Sequence, residues 1–129
     1  MTALGEIRRA CCHCGAVELE AYLPDGLATA ARCNCSFCRR RGAAAVTALT
    51  ARVKVLKGAH ALQRYSFGTQ TAQHFFCKVC GIYTHHQRRS DPDETGINLG
   101  CFDDILPQDF EPIRTNDGIN HPSDTPKQT

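Results

Sequence analysis

The sequence predicts an all-β protein, and three observations carry that expectation. Short runs that alternate apolar and polar residues recur along the chain, each stopped within a few residues by glycine, proline or aspartate. Large aliphatic side chains are sparse and there is no Trp, so the core is thin and calls for crosslinks. Nine cysteines meet that need, several of them at the ends of strand-like runs; their odd number means that disulfides alone would leave a thiol over.

The 129 residues make one domain the default. Residues 1–9 contain no apolar run of signal-peptide length, and no stretch approaches a transmembrane span. The thiols are therefore expected to be reduced, cytoplasmic and metal-bound. A formal charge of +2 does not by itself imply nucleic acid. The local basic clusters, Arg39 to Arg41 and Arg88 with Arg89, read equally well as solvated turns.

The elements follow in order. Cys12-His13-Cys14-Gly15 is a C-x-C-G knuckle, in which glycine permits the tight turn that aims backbone N–H groups at sulfur. Cys11 stands beside it on the opposite side of an extended chain and reads as a small packed thiol. Residues 16–22 alternate with period two, a half-buried strand, and Pro24-Asp25-Gly26 is a turn. A short strand over 28–32 leads into a loop bearing Cys33, Cys35 and Cys38, which Gly42 ends. Residues 43–49 read as a buried strand in preference to an alanine-rich helix, and 53–58 and 62–67 as two more strands. After a turn at Gly68-Thr69, residues 71–76 run as a strand into Cys77-Lys78-Val79-Cys80-Gly81, a second knuckle. A lone C-x-x-C can be a redox pair, but the thioredoxin arrangement needs a helix after the first cysteine, and Gly81 opposes one. Residues 82–87 continue as a strand with His85 and His86 on opposite faces, and 90–93 form a polar turn. Ile97, Leu99 and Cys101 are expected on one face of a strand, with Asn98 on the other. Asp103 is expected to cap one helical turn, residues 110–113 to form a last strand, and Asn116-Asp117-Gly118 a turn. Residues 122–129 are polar and proline-bearing, a tail expected to be disordered.

The chemistry centres on Cys33, Cys35 and Cys38, with Arg39, Arg40 and Arg41 following directly. Three thiols this close cannot satisfy one another by disulfide. One divalent ion can take all three and keep a fourth position open, as in a catalytic zinc site, unless a further side chain closes it. His85, His86 and Cys101 are candidates for that closure. The remaining pairs, Cys12 with Cys14 and Cys77 with Cys80, together supply four thiolates, the set of a closed structural zinc. Spacing alone also permits other pairings, such as Cys12 and Cys14 with Cys33 and Cys35.

The succession C-x-C-G, C-x-C-S-x-C-R and F-C-x-x-C-G resembles the glutathione-dependent formaldehyde-activating enzyme family. Within it the chain looks most like the branch related to centromere protein V, on residues 12–17, 33–39, 65–69 with Thr71 and Ala72, 74–82 and 98–103. The resemblance spans residues 5–121. It implies an Mss4-like fold of several coiled antiparallel β-sheets stapled by zinc, with two Zn2+ ions per chain. It also implies a structural ion on Cys12, Cys14, Cys77 and Cys80, and a second, catalytic ion on Cys33, Cys35 and Cys38. The implied activity is that of a carbon–sulfur lyase acting on S-(hydroxymethyl)glutathione, with a thiol such as glutathione and an aldehyde as partners. Arg39 and Arg40 could bind substrate carboxylates, and His74 could shuttle a proton. The reading from a different class is a non-catalytic zinc-stabilised module that binds protein or nucleic acid. A nucleic-acid surface would want a wider basic face with exposed aromatics, and none is expected.

Overall fold

The structure is a computed structural model that describes residues 5–68, 72–89 and 91–118. It is mainly β. A three-stranded antiparallel sheet has the order β1-β2-β5, from β1 (Glu6–Cys11), β2 (Glu18–Leu23) and β5 (Val53–Lys57). A seven-stranded mixed sheet has the order β10-β3-β4-β9-β8-β7-β6. Its strands are β3 (Ala31–Cys33), β4 (Ala45–Leu49), β6 (Leu62–Tyr65), β7 (Gln73–Cys77), β8 (Tyr83–Gln87), β9 (Glu94–Asn98) and β10 (Arg114–Asn116). Only β10 with β3 pairs in parallel among the described strands.

The core forms where β2 of the small sheet meets β4 of the large one. Leu19, Ala21 and Leu23 point inward from β2 in strict alternation and pack with Val46, Ile97 and Leu99. Phe102 fills the centre at 1% exposure. Alanines occupy much of what remains, which lets the sheets approach closely but buries little area per residue. Cys12, Cys77 and Cys101 belong to the same cluster, so sulfur takes part in the packing directly.

Four local expectations need correction, and one strand was not expected. The unexpected strand is β1, the first described element, which its charged residues conceal: Ile7 is exposed, and only Ala10 is buried. The triplet does not sit in a plain loop. Ser36–Arg41 is a short α-helix, α1, with Cys35 as its N-cap and Gly42 as its C-cap. Leu99 and Cys101 lie in a 3-10 turn after β9, because Asn98 accepts the Gly100 N–H on its side chain at 3.0 Å and ends the strand. Asp103 caps no helix. The 3-10 helix comes later, at Pro107–Phe110, where proline presets the first position. The last strand lies beyond residues 110–113, at Arg114–Asn116, so Asn116 is in the sheet. Thr69, Ser90 and the tail 122–129 lie outside the described residues.

Candidate metal centres and adjoining cavity

The knuckles come first because they are local. Cys12 N–H donates to the Val17 carbonyl at 3.1 Å, and Cys77 N–H donates to the Ile82 carbonyl at 2.9 Å. Each bond closes a turn of the same span around its pair of sulfurs. Gly15 and Gly81 both sit at φ 81°, a conformation that costs an L-residue, so glycine is the residue these turns require. The turns expose N–H groups to sulfur: Val17 N–H donates to Cys12 Sγ at 3.3 Å.

The sheets then bring the two knuckles together. Cys12, Cys14, Cys77 and Cys80 form one group that could hold a metal ion, with all ligand atoms within 4.8 Å of one another. Cys14 Sγ lies 3.7 Å from both Cys12 Sγ and Cys77 Sγ. Sulfurs at the corners of a tetrahedron, each ~2.3 Å from a central zinc, lie ~3.8 Å apart. The donor set and its spacing therefore fit zinc. Protons are unevenly shared in the cluster. Burial opposes ionisation of Cys80, but N–H groups of Cys14 and Ile82 outweigh it and hold the thiol down to about 6. For Cys14 the bond from Ala16 N–H acts downward, yet burial and the neighbouring sulfurs push it up to about 11.

Cys33, Cys35 and Cys38 form the second group that could hold a metal ion. The local structure aims each sulfur inward. Cys35 N–H donates to Cys33 Sγ at 3.4 Å, and Cys38 N–H donates to Cys35 Sγ at 3.3 Å, so a thiol does the capping work of a serine. The Cys38 hydrogen bond holds the Cys33 thiol down to about 5, against the cost of burial, with help from Cys35 N–H and the Arg89 charge. That same bond, with burial, pushes Cys38 up. The C-terminal strand covers the group. Asn34 N–H donates to the Asn116 carbonyl at 3.2 Å, and Gly118 N–H donates to Asn34 Oδ1 at 2.7 Å. A Cβ at Gly118 would stand 2.3 Å from Cys33 Sγ, so a side chain there would collide with the ligand.

The candidate fourth ligands are engaged elsewhere. His85 Nδ1 is 2.8 Å from Thr84 Oγ1, and its ring stacks on Phe75. His86 Nδ1 is 2.6 Å from the Tyr83 hydroxyl. Cys101 Sγ donates to the Tyr83 carbonyl at 3.5 Å. Among the described residues, no histidine, carboxylate or further cysteine joins the triplet's group.

The arginines after the triplet separate by helical geometry. Arg39 and Arg40 are exposed, and Arg40 Nη1 folds back to the Ser36 carbonyl at 2.6 Å. Arg41, one turn beyond Phe37 and Cys38, turns inward. Its guanidinium lies 3.6 Å from the Tyr83 ring centre and 4.8 Å from that of Phe37. Arg41 Nη2 donates to Cys38 Sγ at 3.4 Å, Nη1 is 3.2 Å from His74 Nδ1, and the buried Nε has no acceptor. Guanidinium can only donate, so His74 Nδ1 accepts and the ring proton sits on Nε2. Burial, then the Arg41 charge, holds His74 down to about 4.

A cavity of about 560 Å³ is lined by Phe37, Arg41, Tyr65, His74, Phe76 and Tyr83 among others; none of the triplet cysteines lines it, and Arg41, which bonds Cys38 Sγ, connects the two. Sequence reading singled out His74 but passed over Arg41 and the rings. The signal was the spacing Phe37–Cys38–Arg41, which becomes one face only once residues 36–41 are known to be helical.

A crystal structure of a Rhodobacter sphaeroides protein is 52% identical in sequence to this chain and superposes with a TM-score of 0.82. The match covers 84% of this chain and 99% of that one. The model of the glutathione-dependent formaldehyde-activating enzyme family matches residues 7–116, a span that holds both knuckles, the triplet and every cavity residue named above. Likeness over so much of the chain settles its kinship: it belongs to the glutathione-dependent formaldehyde-activating enzyme family.

Proposed function

We propose that the protein is a zinc-dependent carbon–sulfur lyase-type enzyme that forms and cleaves a thiol–aldehyde adduct, as in S-(hydroxymethyl)glutathione synthesis. The carrying observation is the three-sulfur group, which no fourth protein ligand joins among the described residues, linked by Arg41 to a cavity: Arg41 bonds Cys38 Sγ and also lines the cavity wall. In this reading Cys12, Cys14, Cys77 and Cys80 hold a structural zinc, and Cys33, Cys35 and Cys38 hold a second one. A zinc ion at the triplet supplies a low-pKa environment for an incoming thiol and Lewis acidity toward oxygen. Metal-binding thiols must stay reduced, and that requirement supports a cytoplasmic location in this reading.

The chain's own residues account for the rest. Arg41 donates to Cys38 Sγ and so fixes that side chain and its charge. His74 is neutral at pH 7, so it orients substrate through Nε2–H and does not act as a strong acid. In the addition, the substrate sulfur bonds to the carbonyl carbon and the π pair moves to oxygen. The thiol proton passes to solvent, and a solvent proton completes the hydroxyl. Nothing is oxidised or reduced. Arg39 and Arg40, both exposed, are left the lesser role of steering anions toward the site.

The test is an NMR exchange measurement of adduct formation from glutathione and formaldehyde, with the triplet zinc-loaded. Acceleration over buffer that disappears in Cys38→Ser supports the enzyme. A metal-loaded protein that leaves the exchange rate unchanged leaves the non-catalytic module in possession.

A further inference from the structure

The two sulfur groups differ in what they leave unfilled. Cys12, Cys14, Cys77 and Cys80 supply four sulfurs, the complete tetrahedral set for zinc. Cys33, Cys35 and Cys38 supply three, with ligand atoms within 4.8 Å of one another and no fourth protein ligand among the described residues. A zinc ion there must complete its shell from outside the chain. A softer centre of lower coordination number has no such need. Trivalent arsenic makes three bonds in a pyramid and carries a lone pair where a fourth ligand would sit.

The triplet is already arranged for a three-point ligand. Cys35 N–H donates to Cys33 Sγ at 3.4 Å, and Cys38 N–H donates to Cys35 Sγ at 3.3 Å, so the cap and first turn of α1 hold the sulfurs as a set. Gly118 N–H donates to Asn34 Oδ1 at 2.7 Å and ties the same loop down. Little side-chain freedom is left to lose on binding. Cys33 and Cys35 are only partly buried, so a solute can reach them. The four-sulfur group answers differently. Arsenic could use three of its sulfurs and would orphan the fourth, whereas zinc uses all four. Cys12 and Cys77 are also buried in the core, so opening that group would cost packing as well.

We infer that the triplet is a binding site for trivalent arsenic, taken up from arsenous acid, which displaces a zinc ion held there. The displacement rests on the second-zinc reading proposed above; the arsenic site itself needs only the three thiols and no lyase reaction. Three As–S bonds form as three As–O bonds break. Each hydroxide leaves as water, with its proton from the thiol, or from solvent where zinc held a thiolate. Arsenic stays trivalent, so no oxidant or reductant enters.

The experiment titrates sodium arsenite into the zinc-loaded full-length protein without added thiol. Methylarsonous acid, which has two exchangeable hydroxyls and cannot use a third sulfur, is titrated in parallel. A metallochromic dye reads released zinc, and intact mass reads the adduct. Arsenite is expected to release one of two zinc ions and to give a protein that has gained one arsenic and lost three hydrogens. It should bind about tenfold more tightly than methylarsonous acid, or better. In Cys38→Ser that preference should vanish, and arsenite should release no zinc. No adduct, an adduct that keeps a hydroxyl on arsenic, or equal affinity for the two probes in the native protein would overturn the inference. So would zinc released by arsenite from Cys38→Ser, because it would come from the four-sulfur group. The three-bond adduct formed with no zinc released would sustain the inference and defeat the second-zinc reading. Failure of the glutathione exchange assay would count against the lyase reading alone.

Discussion

Three consecutive arginines follow Cys38, and one of them matters to the site for a reason of angle. Successive helical residues are turned by about 100°, so Arg39 and Arg40 face water while Arg41 returns to the face of Phe37 and Cys38. Single residues elsewhere support equally direct predictions. Gly118→Ala would drive a methyl group into Cys33 Sγ, so metal at the triplet should bind about tenfold more weakly or worse. A chelator competition titration checks this, with the four-sulfur group keeping its affinity in the same protein. Burial holds the His85 imidazole down to about 4, against an ordinary 6.5. Between those values the unfolded chain takes up a proton that the folded chain refuses. The resulting stabilisation is full above pH 6.5 and is lost as pH falls toward 4. Its size is on the order of 3 kcal/mol. Urea midpoints measured across this window should rise with pH in the native protein and rise less in His85→Gln. An identical slope in the two would contradict the assignment.

At the level of elements, the knuckles were readable from sequence and the short helix was not. A C-x-C-G or C-x-x-C-G run announces its turn because glycine at positive φ has few other uses beside two thiols, and both glycines have φ 81°. Strand β2 was equally plain, since its alternation is carried by leucine, alanine and leucine on one face. Helix α1 has six residues, too few to show a 3.6-residue period, and its cap is a cysteine, which no capping preference singles out. Strand β10 was hidden because its three residues are exposed and its partner, β3, lies about eighty positions earlier. The same gap concealed the cover over the triplet, since only that pairing carries Gly118 to Asn34. Substitution at a knuckle should act on both turn and metal. Gly81→Ala is expected to cost about 1–2 kcal/mol from backbone strain alone, read as a lower thermal midpoint in the zinc-loaded protein. A midpoint equal to the native protein's would show that the turn does not need glycine.

On the scale of the whole molecule, sulfur stands in for missing hydrophobic mass. The core relies on alanine around a few large side chains, and Cys12 and Cys77 are both buried within it and shared with the four-sulfur group. The two groups should therefore respond differently to loss of metal. Cys77→Ser should abolish cooperative unfolding in a denaturant titration, whereas Cys38→Ser should retain it and lose only the second ion and the reaction. Equal damage from both substitutions would mean that the triplet, too, serves the fold.

The division between a closed group and an open one is tested most directly by anomalous diffraction at the zinc edge, on crystals with and without glutathione. The account predicts two peaks. One is enclosed by Cys12, Cys14, Cys77 and Cys80 under both conditions. The other is bounded by Cys33, Cys35 and Cys38, with its remaining position taken by the added sulfur only when the thiol is present. A single peak, or a second peak whose fourth neighbour is a protein side chain in both crystals, would contradict it.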